Sequence, residues 1–201
     1  GSSGVGSGGV SWQRAMHWPD TGLPFVQTSP AIASYEAALT YPGLGLFEAT
    51  NLSVGRGTPD AFQMIGAPWL RAGDTVSQLN ALALRGVIAA SEVFTPTMAP
   101  FAGQRCAAVR WLVTDAKSFR PVRAGLHLLA SVMALHPETF DWANYPTAAN
   151  PTGAGHFEHL VGQADIREIL AANPADLGDR VRAWTTVPGW AARVKDFLLY
   201  E

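Results

Sequence analysis

The chain has 201 residues, a formal charge of −2, and 48% hydrophobic against 15% charged residues, which places it among folded globular proteins and excludes a disordered chain. Its 12 Arg and 2 Lys are scattered along the sequence, unlike the basic clusters of nucleic-acid binders, and the single cysteine, Cys106, excludes internal disulfides and a cysteine-rich zinc site. No apolar run reaches the roughly 18 residues of a membrane span and no charged-then-apolar leader opens the chain, which leaves a small molecule, a sugar or a protein as the partner.

Residues 1–10, GSSGVGSGGV, read as a flexible tag or linker. Residues 11–34 are broken by Pro19, Gly22, Pro24 and Pro30 and read as loop. A short helix is expected over 32–40, ended by Tyr41-Pro42-Gly43, followed by a short buried strand over 44–48. A glycine loop over 51–58 and a turn at Gly66-Ala67-Pro68-Trp69 come next. Thr75 with Gln78 resembles a capping box, and Val76, Leu79 and Leu82 form one stripe, so a helix is expected over 76–84 with Gly86 at its end.

Residues 87–94 and 106–115 read as strands. In the second, Val109, Trp111 and Val113 alternate with Arg110, Leu112 and Thr114, the period of a half-buried sheet, and the pair is most simply antiparallel. Pro121 suits a first helical turn, and Val122, Leu126, Leu129 and Met133 share a face, predicting a helix over 121–136 packed on that sheet. The prolines and glycines of 137–162 predict a long loop, a common home of function. Short helices close the chain: Ile166-Ile169-Leu170, Leu177-Val181-Trp184, and one starting at Pro188 with Trp190 and Phe197. The fold class is α+β.

The stretch most concerned with chemistry is 41–69. Gly55 and Gly57 permit a tight turn that presents N–H groups, and Arg56 between them can clamp a carboxylate or pair with Glu48 as architecture. No Lys-Ser or Lys-Thr follows, so this is not a Walker loop. His156-Phe157-Glu158-His159 sets two imidazoles three apart but offers no third metal ligand. His127 reads as a hydrogen-bonded core residue and Cys106 as a buried small side chain. Trp111, Trp184 and Trp190 fit packing stripes, while Trp69, after the glycine loop, is the best placed to stack on a sugar.

Four ordered motifs, Tyr41-Pro42-Gly43, Phe47-Glu48-Ala49-Thr50-Asn51, Gly55-Arg56-Gly57-Thr58 and Gly66-Ala67-Pro68-Trp69, closely resemble a signature of the NamZ-like exo-β-N-acetylmuramidases. Trp12-Gln13-Arg14, Thr21-Gly22-Leu23-Pro24-Phe25 and Phe197-Leu198-Leu199-Tyr200 extend the likeness from Ser11 to Glu201. Two departures stand out: Ala49 where the family has Gly, and Pro30-Ala31-Ile32-Ala33 where it tends to have Pro-Asn-Met-Pro.

The resemblance implies a peptidoglycan-directed glycoside hydrolase that releases terminal N-acetylmuramic acid. Family members are about twice this length, with a Rossmann-like domain upstream that carries the proposed catalytic glutamate in a Pro-Glu-His-Gly type run, absent here. Residues 11–70 are then expected to be the end of a Rossmann-like domain, and 71–201 the α+β C-terminal domain. The alternative is a sugar-binding or bracing module whose catalytic half is missing. Within this chain Glu48 is the candidate acid, while Tyr41, Asn51, Arg56, Thr58 and Trp69 are candidates for holding substrate, Arg56 through the lactyl carboxylate. Expected partners are a peptidoglycan-derived sugar and a polypeptide carrying the upstream half. No metal, cofactor or nucleic acid is expected, and the family resemblance implies a periplasmic or secreted location.

Overall fold

A computed structural model describes Gln13 and residues 16–198. The tag reading of 1–10, the proposed start at Ser11 and the last two residues of the exit motif lie outside the described residues. At the centre is a three-stranded antiparallel sheet, with β1 (Met64–Ala67), β2 (Val87–Phe94) and β3 (Cys106–Val113) in the order β1-β3-β2. Val87 pairs with Val113 and Phe94 with Cys106, so the two expected strands also pair in the expected antiparallel sense. The inner face of β3 buries Val109 and Trp111, while Leu112 is exposed.

β1 overlaps the segment expected as a turn. Its four residues are all buried, and Met64↔Arg110 through Ala67↔Ala107 make it the third strand. A four-residue segment has no readable period, so only its partner identifies it as a strand.

Helix α1 (Tyr35–Leu44) starts at Ser34, whose Oγ accepts from Ala37 N at 3.1 Å, and runs through Pro42 instead of stopping before it. A helix-interior proline costs about 3 kcal/mol. Burial of Gly43 and Leu44 against α3 (Pro121–Leu135) opposes that cost. At the crossing, a Cβ on Gly125 would lie 2.6 Å from Gly43 O, and one on Gly43 would lie 2.2 Å from Pro121 O. The two backbones touch because neither residue has a side chain. Residues 44–48, expected as a strand, are instead the end of α1 and a 3-10 turn over Gly45–Ala49, with Leu46 and Phe47 buried.

Helix α2 spans Ala72–Ala81, earlier than the expected 76–84. Thr75 is inside it, its hydroxyl donating to Arg71 O at 3.0 Å, so the capping-box reading fails because that side chain bonds backward within the helix. The 137–162 loop is irregular until α4 (His156–Val161), and α5 (Ile166–Ala172), α6 (Leu177–Trp184) and α7 (Trp190–Val194) follow. Trp190, expected to pack, is exposed on α7.

One core unites residues on both sides of position 70: Leu44, Phe47, Leu52 and Ile65 share it with Val109, Leu126, Leu129 and Ile166. The division expected between 70 and 71 is therefore not a break in the core, because β1 is a strand of the same sheet. Among the described residues no helix is long and apolar enough to cross a membrane.

Candidate functional site

The glycine loop leaves the 3-10 turn and folds back against it. Gly55 and Gly57 take φ of 75° and 80°, where a side chain would be strained. A Cβ on Gly57 would also lie 2.5 Å from Thr97 Oγ1, whose hydroxyl donates to Gly57 O at 2.9 Å. This docking fixes Arg56 between the two glycines. Its guanidinium donates twice to Glu48 Oε1, from Nη2 at 2.6 Å and Nε at 3.2 Å, and lies 4.8 Å from the Phe62 ring centroid.

Glu48 Oε1 also accepts from the Tyr145 hydroxyl at 3.0 Å. The Glu48 side chain is 9% exposed and that of Arg56 33%. Burial alone would lower the Arg56 pKa, but the bonded Glu48 carboxylate outweighs it and holds the guanidinium above its ordinary value. Burial, and then the same carboxylate, push the Tyr145 phenol up, keeping it a neutral donor. Phe62, itself in the left-handed region at φ 60°, closes the cluster, and Tyr41 packs edge-on against it at 4.7 Å.

Arg56, Tyr41 and Phe62 border a cleft of about 350 Å³ whose other wall is the 28–32 loop. Of the residues expected to hold substrate, the fold brings Tyr41 and Arg56 together there, with Glu48 behind Arg56. The other three lie away from this cleft. Asn51 donates to Thr139 O at 2.8 Å and accepts from Asp141 N at 3.1 Å, pinning the 139–141 segment. Thr58 donates to Gly55 O at 2.7 Å and accepts from Asp60 N at 3.2 Å, closing the glycine turn. Trp69 lies half-buried, 5.3 Å from the ring of His136, which in turn accepts from Arg71 N at 2.9 Å.

Sequence reasoning does not single out Phe62 or Tyr145. Phe62 carries no motif. Tyr145 lies 97 positions from Glu48, and its one signal is membership of the long loop. The His156-Phe157-Glu158-His159 run forms α4, with His156 stacked on Tyr145 at 4.7 Å, Phe157 in the core and Glu158 paired to Arg167. Cys106 is fully buried, and burial raises its thiol pKa.

Replacing Arg56 with Lys keeps the charge but loses the second donor to Glu48. A charge-assisted bond in this partly exposed setting is worth about 1–2 kcal/mol. The melting temperature of Arg56→Lys is therefore expected to fall by roughly 2–4 °C for each kcal/mol. Thermal denaturation followed by circular dichroism checks this, and an unchanged midpoint would remove the pair from the fold's support.

Residues 39–200 match the family model described as exo-β-N-acetylmuramidase NamZ, C-terminal. Over 190 residues the chain is 38% identical to the peptidoglycan β-N-acetylmuramidase NamZ of Bacillus subtilis (strain 168), covering 94% of this chain and 44% of that protein. Two crystal structures of DUF1343 family proteins from Bacteroides fragilis NCTC 9343 share the fold. One has a TM-score of 0.72 at 24% identity, covering 94% of this chain and 49% of that one. The other has a TM-score of 0.52 at 21% identity, covering 87% and 44%. The chain thus spans about half the length of the relatives it matches.

Proposed function

The chain belongs to the NamZ C-terminal family of exo-β-N-acetylmuramidases, and from that premise we propose that it is the substrate-holding portion of a peptidoglycan-directed glycoside hydrolase that releases terminal N-acetylmuramic acid. The observation that carries this reading is the placement of Arg56: fixed from behind by Glu48, one-third exposed, and at the edge of the Tyr41–Phe62 cleft. A guanidinium so held presents its remaining N–H groups to a carboxylate, and the lactyl group distinguishes N-acetylmuramic acid from N-acetylglucosamine by one carboxylate. Tyr41 offers the flat apolar face on which a sugar ring packs.

Glycoside hydrolysis usually needs two carboxyl groups flanking the scissile bond. Glu48 is poorly suited to that role, because its buried Oε1 already accepts from Arg56 and Tyr145. It acts in this reading as the positioning group for Arg56, and the acid–base glutamate comes from the upstream half. Thr58 supports the glycine turn that carries Arg56, while Asn51 and Trp69 brace segments away from the cleft. A periplasmic or secreted location follows from a peptidoglycan substrate. The same engagement of Glu48 favours the second reading, a module that binds sugar or braces the catalytic half without contributing to bond cleavage.

The test is Arg56→Ala in the enzyme assembled with an upstream half. Losing one charge-assisted bond costs about 1.5–3 kcal/mol, so KM for β-N-acetylmuramides is expected to rise roughly 10- to 150-fold. N-acetylglucosamine analogues should change little. Equal losses on both sugars would leave Arg56 with a structural role alone.

A further inference from the structure

A larger cleft, of about 630 Å³, lies between the turn after α2, the N-terminal end of α3, and α6. Arg56 and the other residues of the proposed sugar cleft do not border it. Its walls carry Arg85, Arg120, Arg123 and Arg182, with Asp179 as the one acidic residue and His127 beside Arg123. Among the described residues six arginines have no carboxylate within ion-pairing distance, and four of the six meet here.

Two of these guanidinium groups are held by neutral acceptors that leave their charge uncompensated. Arg123 donates to Thr185 Oγ1 at 3.0 Å and to Thr186 Oγ1 at 3.2 Å. Arg120 donates through Nη1 to Lys117 O at 2.9 Å and Phe119 O at 2.8 Å. Arg120 is also the N-cap of the 15-residue α3, whose first turn contains no acidic residue and whose cap makes no side-chain hydrogen bond. A helix N-terminus favours negative charge, so an arginine at the N-cap and another in the first turn are unfavourable unless an anion joins them. His127, expected in the core, is half-buried on this wall, and burial followed by Arg123 lowers its pKa below the ordinary histidine value.

The geometry points to this cleft as a binding site for an oligoanion, a small ligand or polymer segment bearing two or more phosphate or carboxylate groups. Planar guanidinium forks match either oxyanion, and the volume is that of a small-molecule site. The cleft is separate from the proposed sugar cleft, and this inference does not rest on that reading.

The test is isothermal titration of the 201-residue chain with inorganic tripolyphosphate and, separately, with citrate, at low and physiological salt. Saturable binding to either is expected, weakening as salt rises. Preference for tripolyphosphate would assign a phosphate source, and preference for citrate a carboxylate source. Arg182 makes no ion pair or side-chain hydrogen bond among the described residues, so Arg182→Gln should leave the fold intact. Arg182→Gln and Arg123→Gln are each expected to weaken binding roughly 10-fold or more. Arg193→Gln, on α7 outside the cleft, should not. Binding should also raise the His127 pKa, read by NMR, because an anion opposes the repulsion from Arg123 with Arg85, Arg120, Arg182 and Asp179 lining the same space. No saturable binding of either probe, binding equally unaffected by both cleft variants, or an unmoved His127 titration would overturn the site.

Discussion

Turnover of a chromogenic β-N-acetylmuramide by the 201-residue chain alone is expected to fall at least 10²–10⁴-fold below that of the same chain mixed with a polypeptide supplying the upstream half. The chain contains no Pro-Glu-His-Gly type run. Glu48, the acid behind Arg56 at the proposed sugar cleft, is 9% exposed and bonded through Oε1 to both Arg56 and Tyr145. A general acid must reach the glycosidic oxygen, and a side chain this buried, with Oε1 already accepting from Arg56 and Tyr145, is held away from such a contact. Glu48→Gln separates the possibilities. If the chain alone turns over substrate robustly and Glu48→Gln abolishes this, Glu48 is the catalytic acid and the positioning role fails. If the mixture works and Glu48→Gln chiefly raises KM, Glu48 acts through Arg56 as proposed.

The largest effect on stability is expected where α1 crosses α3. Gly43→Ala sets a methyl 2.2 Å from Pro121 O, 2.7 Å from Pro121 C and 2.8 Å from Trp111 Cη2. Two of those three atoms are backbone, so relief requires the helices to separate, not a rotamer change. Overpacking of this kind costs about 3 kcal/mol or more, against a total stability of roughly 5–15 kcal/mol. Gly43→Val should leave much of the chain unfolded. A methyl added at Gly73 in α2 would have nothing within 4 Å, so Gly73→Ala should be neutral or stabilising by up to about 1 kcal/mol. Urea unfolding of the three variants measures the contrast. Gly43→Ala unfolding at the wild-type midpoint would show that the crossing is not tight.

Elements whose burial follows a period are legible in the chain alone. β2 is legible from its bounds and β3 from the alternation about Trp111. α3 is legible from Pro121 and the Leu126–Leu129 face, and α6 from Leu177 and Val181. Arg56 and Glu48 also fall on one short stretch, where eight residues of separation and two glycines make their pairing accessible. Each of these is local, because a side chain's face is fixed by the backbone geometry of its immediate neighbours. Packing settles what local geometry cannot carry. β1 is a strand because β3 supplies its hydrogen bonds, and α1 passes through Pro42 because Gly43 meets Gly125 beyond it. Tyr145 reaches Glu48 across 97 positions. Arginines that look scattered in the sequence come from three separate segments, 85, 120–123 and 182, and meet in one cleft. Contacts between distant segments depend on how the elements pack, and neither the period nor the composition of any one segment encodes that packing.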